Sequence, residues 1–180
     1  MSEYLRLTHS LLVSLGGTSS PEIFPLNAAD DPDKKPPKSI KFKTGNKKYE
    51  PTSFVFFQGA LAKACIVGHI YQEDGPALPV LYSIVTSGVL IRNNGMLQPY
   101  IPPILREVVL VPENLGDGED VVDSHIESGL DIERYSVDDS YRKIRQNAAN
   151  RIFDNLADVK KNVFSHFAEA IGDDDHLILI

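Results

Sequence analysis

The stretch from Leu61 to Val111 gives the strongest indication of the fold, because β-branched and aliphatic residues recur there in short runs separated by turn residues. Valine, isoleucine and tyrosine fit a pleated, half-buried surface, and several short strands at such spacing are typical of a small antiparallel barrel or sandwich. The first run, residues 61–73, contains Gly68, and a lone glycine inside a strand marks a bulge or a sharp bend. We therefore predict a mainly β fold in which a bent strand turns a corner of a small antiparallel barrel.

Two candidate turns divide the second half of this stretch. The pair Ser87-Gly88 separates a run at 80–86 from a run at 89–92. The triplet at 93–95, Asn-Asn-Gly, tolerates the positive φ of a tight turn. We therefore predict a short strand on either side of each turn.

Three prolines limit the strand that follows. Because proline has no backbone N–H to donate, Pro99, Pro102 and Pro103 forbid a central strand across 99–103. Residues 105–111 regain the composition of a strand, so the last strand of the barrel is expected there.

The composition is that of one domain without a disulfide or metal framework. At 180 residues the chain can bury roughly 70% of its unfolded surface. The single cysteine, Cys65, favours a reducing compartment, and we interpret it as a small buried residue rather than a reactive thiol. The N-terminus lacks the basic region of a signal peptide, and no apolar run approaches the roughly 18 residues of a membrane span. We expect an intracellular protein that is not secreted and does not contact a membrane.

The charges are segregated along the chain. The net charge of −7 argues against a sequence-blind nucleic-acid binder that is held mainly by phosphate contacts. Residues 34–48 contain seven lysines and no acid, whereas residues 113–139 contain ten acids and one arginine. Such segregation indicates partners of opposite charge, one segment lying against the other, or solvated loops kept soluble by charge.

The other segments before the C-terminus are assigned by periodicity and composition. Residues 1–17 predict an N-terminal helix with leucines on one face, although alternation at its start leaves a strand open. Residues 18–38, rich in proline, aspartate, lysine and serine, predict a flexible loop. Residues 39–112 are assigned to the barrel and begin with a lysine-bearing hairpin. Residues 113–137 predict an irregular acidic loop.

The C-terminal segment, residues 138–172, has the clearest periodicity. Apolar residues at steps of three and four place one stripe on a helix, and its members are Ile144, Ala148, Ile152, Leu156, Val159, Val163 and Phe167. A helix of ~30 residues spans about 45 Å, which exceeds the width of a small barrel. We therefore predict that this stripe binds a partner protein. The apolar tail, residues 173–180, is suited to docking on a sheet edge or groove.

Two motifs in the central stretch resemble a known family. The run Ala64-Cys-Ile-Val-Gly-His-Ile is similar to the first barrel strand of the OB-fold in the middle subunit of replication protein A and its telomere-capping relatives. The run from Leu81 to Ile91 is similar to the second and third strands of that family. The resemblance implies an OB-like barrel, with flanking helices, in a nuclear complex that binds single-stranded DNA or protects telomeres. It also implies that the C-terminal helix pairs with other subunits.

No motif in the sequence indicates catalysis, a metal or a cofactor. The phosphate-cradling and nucleophilic-serine signatures are missing. Asp123, His125 and Glu127 offer one imidazole and two carboxylates, which is too weak a pattern to predict a metal site. We expect no enzyme activity, no cofactor and no small-molecule substrate.

We predict a non-catalytic subunit of a hetero-oligomeric protein complex, with single-stranded DNA as a further partner. The DNA contact would combine positive charge with stacking and would use Lys41, Lys43, Lys47, Lys48, Lys63, Tyr71, Tyr82 and Arg92. Phe54, Phe56 and Phe57 are interpreted as core, with a base-stacking platform as the alternative. The second hypothesis is a β-barrel adaptor without a nucleic-acid role, in which the lysines of residues 34–48 meet an acidic protein.

Overall fold

The computed structural model describes residues 3–26, 56–71, 75–93, 96–170 and 177–179. Three helices are present in this part of the chain, namely α1 (Glu3–Ser14), α2 (Glu119–Glu127) and α3 (Tyr141–Ala170), with a 3-10 turn at Gly116–Gly118. The strands are β1 (Thr18–Phe24), β2 (Phe56–Ile70), β3 (Leu78–Asn93), β4 (Met96–Pro112), β5 (Ile132–Tyr135) and β6 (Leu177–Leu179). The predicted mainly β fold with helices at both ends is confirmed. No helix in the described ranges is long and apolar enough to cross a membrane.

The strands form one open, mixed sheet. Its order is β1-β2-β3-β4-β5, and β6 lies beside β2. Strands β1 to β4 pair antiparallel, whereas β5 joins β4 and β6 joins β2 in parallel. In the described chain β1 and β5 lie at opposite edges without pairing to each other, so the predicted closed antiparallel barrel is wrong. The long central strands are covered by separate helices on each face, and the core is therefore layered rather than enclosed.

The predicted stripe of α3 packs on the chain's own sheet. Six of its side chains are buried and the seventh is partly buried, the set being Ile144, Ala148, Ile152, Leu156, Val159, Val163 and Phe167. They contact Leu81, Val85 and Val108 at one end of the sheet and Phe56 and Val89 at the other. These side chains belong to the core, which corrects their assignment to a partner. The reason is length: strands of 15–17 residues extend roughly 50 Å, enough to cover all of α3.

The opposite face of the sheet is covered at one end by α1 and α2. Leu11 and Leu12 of α1 and Val122 of α2 are fully buried there. They pack on Val80 and Val109, in the middle strands. The predicted N-terminal helix is thus confirmed, and its apolar face closes a second, smaller core.

Two segments that were predicted as loops contain regular structure. Residues 18–24, within the predicted loop 18–38, form the edge strand β1. The prediction missed this strand because its composition is polar and only Phe24 is buried. The predicted acidic loop, 113–137, contains α2 and β5, and in α2 the acids Asp120, Asp123 and Glu127 lie on exposed positions around a buried Val122. The predicted hairpin after Ser39 lies outside the described residues.

Residues 78–93 form one strand, β3, although a turn was predicted at Ser87-Gly88. Both residues are small because they pack closely: the Ser87 hydroxyl donates to the Gly59 carbonyl oxygen at 3.0 Å. A Cβ at Gly88 would lie 3.2 Å from the Cα of Pro103. The next turn is where it was expected, because Asn93 pairs with Met96 across the two strands. The prolines lie in an edge portion of β4, which gains its second neighbour, β5, only from Val109 onward.

Gly68 marks an irregularity in β2, as predicted. The pairing of β2 with β3 shifts register between Ile66 and Gly68. A Cβ at Gly68 would also meet Leu12 Cδ2 at 2.5 Å and collide with the backbone oxygen of Thr18. The glycine therefore permits close packing of α1 and β1 on the strand. The apolar tail also docks on a sheet edge, because Leu177 pairs with Phe56 of β2.

The substitution Ile152→Asp is expected to destabilise the chain by itself. The new carboxylate would lie between α3 and the sheet without a partner, which lowers the free energy of unfolding by roughly 4 kcal/mol. Urea denaturation measures the change. Phe153→Asp is the matched control, because the neighbouring Phe153 is 38% exposed; its effect should stay within about 0.5 kcal/mol. Equal stability of the two variants would contradict the burial of the stripe.

The substitution Gly68→Ala tests the close packing of α1 and β1 on β2. We expect it to lower the free energy of unfolding by about 1–3 kcal/mol, because the Thr18 backbone and Leu12 must move to admit the methyl group. Gly59→Ala in the same strand is the control, since a Cβ there meets nothing within 4 Å. Thermal and urea unfolding of both variants gives the comparison, and a stable Gly68→Ala protein would show that the contact is not tight.

Candidate functional site

One half of one sheet face has no helix over it in the part of the chain that the structure describes. Side chains alternate between the two faces of a strand. Gln58 faces α3, because its Nε2 donates to the Lys160 carbonyl oxygen at 2.8 Å, and Gly59 therefore faces away. The Gln58 amide also donates to the Ser87 hydroxyl at 3.2 Å, so Gly88 faces away as well. Both glycines lie beyond the end of the sheet that α1 and α2 cover.

We call this surface the open half-face. It comprises every second residue of 57–63 in β2 and of 86–92 in β3, together with Leu97, Pro99, Pro103 and Leu105 of β4, where two register shifts interrupt the alternation. The residues are leucine, proline, glycine, threonine, one phenylalanine, one lysine and one arginine, and none is a carboxylate. The open half-face is thus an apolar surface with two cations.

A shallow groove runs across the middle of the open half-face. Gly59 and Gly88 pair directly across β2 and β3 and supply a floor without side chains. Leu61 and Leu90 border this floor, and Pro103 closes the side toward β4. The groove has a volume of about 340 Å³, within the range of sites that take a small ligand or a single large side chain.

Three leucines on the open half-face are more than half exposed. The exposed fractions are 52% for Leu61, 54% for Leu97 and 59% for Leu105. Single exposed leucines are ordinary, but a contiguous apolar patch with a polar rim marks an interaction surface. The described residues leave this patch uncovered, which makes it the strongest candidate for a binding site.

The outer edge of β4 beside the open half-face is poorly suited to strand addition. Pro99, Pro102 and Pro103 provide no N–H groups for a ladder with a further strand. A ligand on this surface would therefore be held by side-chain contacts on the sheet face rather than by backbone pairing at the edge.

Two of the predicted nucleic-acid residues, Lys63 and Arg92, are exposed and lie on the open half-face. Lys63 pairs with Ile84 of β3, eight residues before Arg92, so the two cations are about 26 Å apart along the strands. The Arg92 guanidinium lies 4.9 Å from the centre of the Phe57 ring and covers it. The cations therefore mark opposite ends of the surface.

The other predicted nucleic-acid residues are not brought together there. Tyr71 is 64% exposed, but it follows the far end of β2, about 26 Å beyond Lys63. Tyr82 is buried beneath α1, so its predicted stacking role is wrong. The remaining four, Lys41, Lys43, Lys47 and Lys48, lie outside the described residues.

Tyr82 belongs to a structural cluster with α1. Its hydroxyl donates to the Glu107 carboxylate, and burial together with this hydrogen bond raises the pKa of Tyr82. The Tyr4 hydroxyl donates to the Glu107 carbonyl oxygen at 2.7 Å and accepts from the Asp131 backbone N–H at 3.0 Å. Burial raises the pKa of Tyr4 to about 12. Both tyrosines are neutral near pH 7, and their contacts fasten α1 to the sheet.

A second polar cluster joins β4, β5 and α3 on the covered face. Arg106 Nε donates to Asp131 at 2.6 Å, and its terminal nitrogens donate to Glu133 at 2.9 Å and to Asn155 at 2.9 Å. Arg151 contacts the other Glu133 oxygen at 2.7 Å. The hydrogen bond to Asp131 raises the pKa of Arg106. The charges of this cluster are paired, so we assign it to the docking of α3.

A histidine joins β1, β2 and α3 at the other edge of the sheet. His69 Nδ1 lies 2.8 Å from the Ser20 hydroxyl, and Nε2 lies 3.2 Å from the Tyr141 hydroxyl. Burial lowers the pKa of His69, which favours the neutral ring. Neutral imidazole has one donor and one acceptor, and a hydroxyl can satisfy either. The contacts of His69 are therefore structural ties between three elements.

The thiol and the residues that were weighed as metal ligands have ordinary surroundings. Burial raises the pKa of Cys65, which disfavours the reactive thiolate. His125 lies in α2 with Nδ1 2.8 Å from the Val121 carbonyl oxygen, one turn earlier. Among the residues described, no group of three or more His, Cys, Asp and Glu side chains is placed to hold a metal ion.

No protein-family model, curated protein or solved structure matches this chain. The resemblance to the OB-fold of the replication protein A middle subunit thus stays a prediction, and the candidate site is defined by geometry alone. The fold and the site describe a mainly β protein with an open sheet. One face of this sheet is covered by a long helix, and the described residues cover only half of the other face.

The Gly59–Gly88 floor is the part of the site that the sequence analysis missed. Gly88 was interpreted as a turn residue, and Gly59 was assigned no role. The available signal was the presence of glycine in two neighbouring β-rich runs, because a glycine inside a strand often marks a close approach of a ligand or another backbone. Only the register shows that the two glycines are partners.

Proposed function

We propose that this chain is a non-catalytic binding module that receives an apolar segment of a partner protein on the open half-face. The proposal rests above all on the groove of about 340 Å³ between Leu61, Leu90 and Pro103, which the described part of the chain leaves uncovered. The rest of that face is closed by α1 and α2, so the exposed leucines are confined to one surface. This function corresponds to the adaptor hypothesis, with a sheet face in place of a barrel.

The composition of the open half-face favours a protein over a nucleic acid. Nucleic-acid grooves stack bases on exposed aromatic side chains. The open half-face has one aromatic side chain, Phe57, and it is buried beneath the Arg92 guanidinium. Aliphatic and proline side chains bury the apolar side chains of a protein partner, at about 25 cal/mol per Å² removed from water.

A second candidate function is the binding of single-stranded nucleic acid in a nuclear or telomere-protecting complex. It is supported by one observation, that Lys63 and Arg92 share the open half-face, where none of the residues is acidic. The span of about 26 Å between the cations would follow a backbone of a few nucleotides. The sequence also contains seven lysines at residues 34–48, which would add positive charge to such a binding protein.

The double variant Leu61→Asp, Leu105→Asp tests the proposed function. We expect it to lose those co-purifying proteins that bind the open half-face, because two carboxylates would be desolvated in the interface. Its stability should change by about 0.5 kcal/mol or less, since both side chains are more than half exposed. Quantitative mass spectrometry after affinity purification, followed by calorimetry with each purified protein, measures the loss.

Val13→Asp is the matched control, because Val13 is 57% exposed on α1. A partner that is lost from the double variant and retained by the control supports the proposal. A partner that binds the double variant as tightly as the wild-type chain would contradict it.

The nucleic-acid candidate is tested with a labelled oligothymidine and the double variant Lys63→Glu, Arg92→Glu. We expect the wild-type chain to bind no more tightly than this variant at 50 mM salt. Affinity for single strands falls with salt at a slope of about −0.7 per phosphate contact. A steep slope in the wild-type chain, absent in the variant, would instead establish the nucleic-acid function.

A further inference from the structure

We infer that two copies of this chain associate through the outer surface of α3, with the two helices antiparallel. The stripe of α3 that packs on the sheet is buried, and this contact uses the opposite side of the helix. The sheet separates that side from the open half-face, so the inference goes beyond the proposed function and does not depend on it.

Two phenylalanines of α3 point away from the core. Phe153 is 38% exposed and Phe164 is 49% exposed, although phenylalanine is among the residues most often buried. Their separation in the sequence is three helical turns, so both rings lie on the same side of the helix. Two aligned rings of this kind are suited to burial against another helix.

The side of α3 with these rings reads almost the same in both directions. Its exposed and half-buried residues follow one another at steps of four, four, three, four and four, within an arc of about 100°. We call this set the outer stripe, and its members are Ala149, Phe153, Ala157, Lys160, Phe164 and Ala168. Read backwards, the stripe has the same steps, and only the two central residues exchange. A contact between identical surfaces about a two-fold axis requires such self-complementarity.

Antiparallel pairing about the centre of the outer stripe gives each large side chain a suitable neighbour. Phe153 of each chain lies opposite Phe164 of the second copy, and two aromatic rings pack well in an edge-to-face or offset arrangement. Ala157 lies opposite Lys160 of the second copy. The small alanine leaves room for the lysine stem, whose ammonium group reaches water at the rim.

The charges beside the outer stripe favour the same register. Asp154, Asp158 and Lys161 are exposed on one flank of the stripe. Antiparallel two-fold pairing brings this flank of one chain against the same flank of the other. With Phe153 opposite Phe164, each Lys161 lies between the two aspartates of the second copy, about 3 Å from each along the helix axis. The two chains are therefore complementary in charge on both sides of the two-fold axis.

The contact is small, so the dimer should be weak. Two rings that are less than half exposed add little area beside the roughly 1,200 Å² that a standard interface buries. We expect a dissociation constant of about 100 µM. The chain is then monomeric at the micromolar concentrations of unfolding experiments, where Phe153→Asp remains a valid control.

Sedimentation equilibrium of the full chain from about 5 to 500 µM measures the association. The wild-type chain should dimerise, and Phe153→Asp and Phe164→Asp should each weaken the dimer about tenfold or more, because a carboxylate would replace a buried ring. Asn162→Asp is the matched control. Asn162 is exposed on α3, two and a half turns from Phe153 and hence on the other side of the helix, so its variant should dimerise as the wild-type chain does.

Reversal of the flanking charges tests the antiparallel register. Lys161→Asp by itself, and Asp154→Lys together with Asp158→Lys, should each weaken the homodimer about fivefold at low salt, because like charges would then face each other. An equimolar mixture of the two variants should associate as tightly as the wild-type chain, since every reversed charge meets its opposite. A parallel pair would show no such recovery, because Lys161 would face the other flank of α3, which has no acid.

Four results would overturn the inference. The first is a chain that stays monomeric at about 500 µM. The second is a dimer that survives both phenylalanine variants. The third is a mixture of the charge variants that associates no better than either alone. The fourth is a set of carbodiimide cross-links within one chain between residues 34–48 and the aspartates of the flank, which would assign the outer stripe to the chain's own lysine-rich segment.

The variant Leu61→Asp, Leu105→Asp separates this inference from the proposed function. It leaves the outer stripe intact, so it should dimerise as the wild-type chain does while losing the partner of the open half-face. Loss of the dimer in this variant, with Phe153→Asp still dimeric, would place the contact between copies on the open half-face and contradict the inference. Normal dimerisation together with normal partner binding would contradict only the proposed function.

Discussion

The packing of α3 on one face of the sheet holds the three long strands together. Its buried stripe includes Ile152 and Phe167, and each fully buried side chain of this size contributes about 1.5–3 kcal/mol. The stripe spans the long strands β2, β3 and β4 and keeps them in one extended layer. Polar contacts hold the helix in register: Gln58 reaches the Lys160 carbonyl oxygen, and Arg106 reaches Asn155. With a helix of this length on one face, the sheet remains open instead of closing into a barrel.

The same arrangement produces the candidate site. A sheet that is long enough for α3 is longer than α1 and α2 can cover from the other side. The portion that the described residues leave uncovered has apolar residues at its surface, and their exposure has a free-energy cost that a partner would remove. The candidate binding surface thus follows from the mismatch in length between one long helix and two short ones.

Three glycines on the sheet show how the same residue type serves two purposes. Gly68 lies under α1 and β1, where a Cβ would meet Leu12 and the Thr18 backbone. Gly59 and Gly88 pair with each other beyond the helices, and the space above Gly59 is empty. Glycine at 68 admits an element of the chain itself, Gly88 admits Pro103 of the neighbouring strand, and Gly59 leaves open space above the sheet.

The mainly β centre, both terminal helices, the irregularity at Gly68 and the turn before Met96 were predictable from the sequence, because each depends on local periodicity or backbone freedom. The sequence did not predict β1 or α2, because both segments are mainly polar. Strand pairing and one buried side chain in each segment, Phe24 in β1 and Val122 in α2, hold them in place. The burial of the α3 stripe and of Tyr82 became visible only from the packing of the helices on the sheet. The same holds for the pairing of Gly59 with Gly88. The physical reason is that burial and strand register depend on which distant surfaces meet, and a one-dimensional pattern of apolar residues is the same whether its partner is the chain's own sheet or another protein.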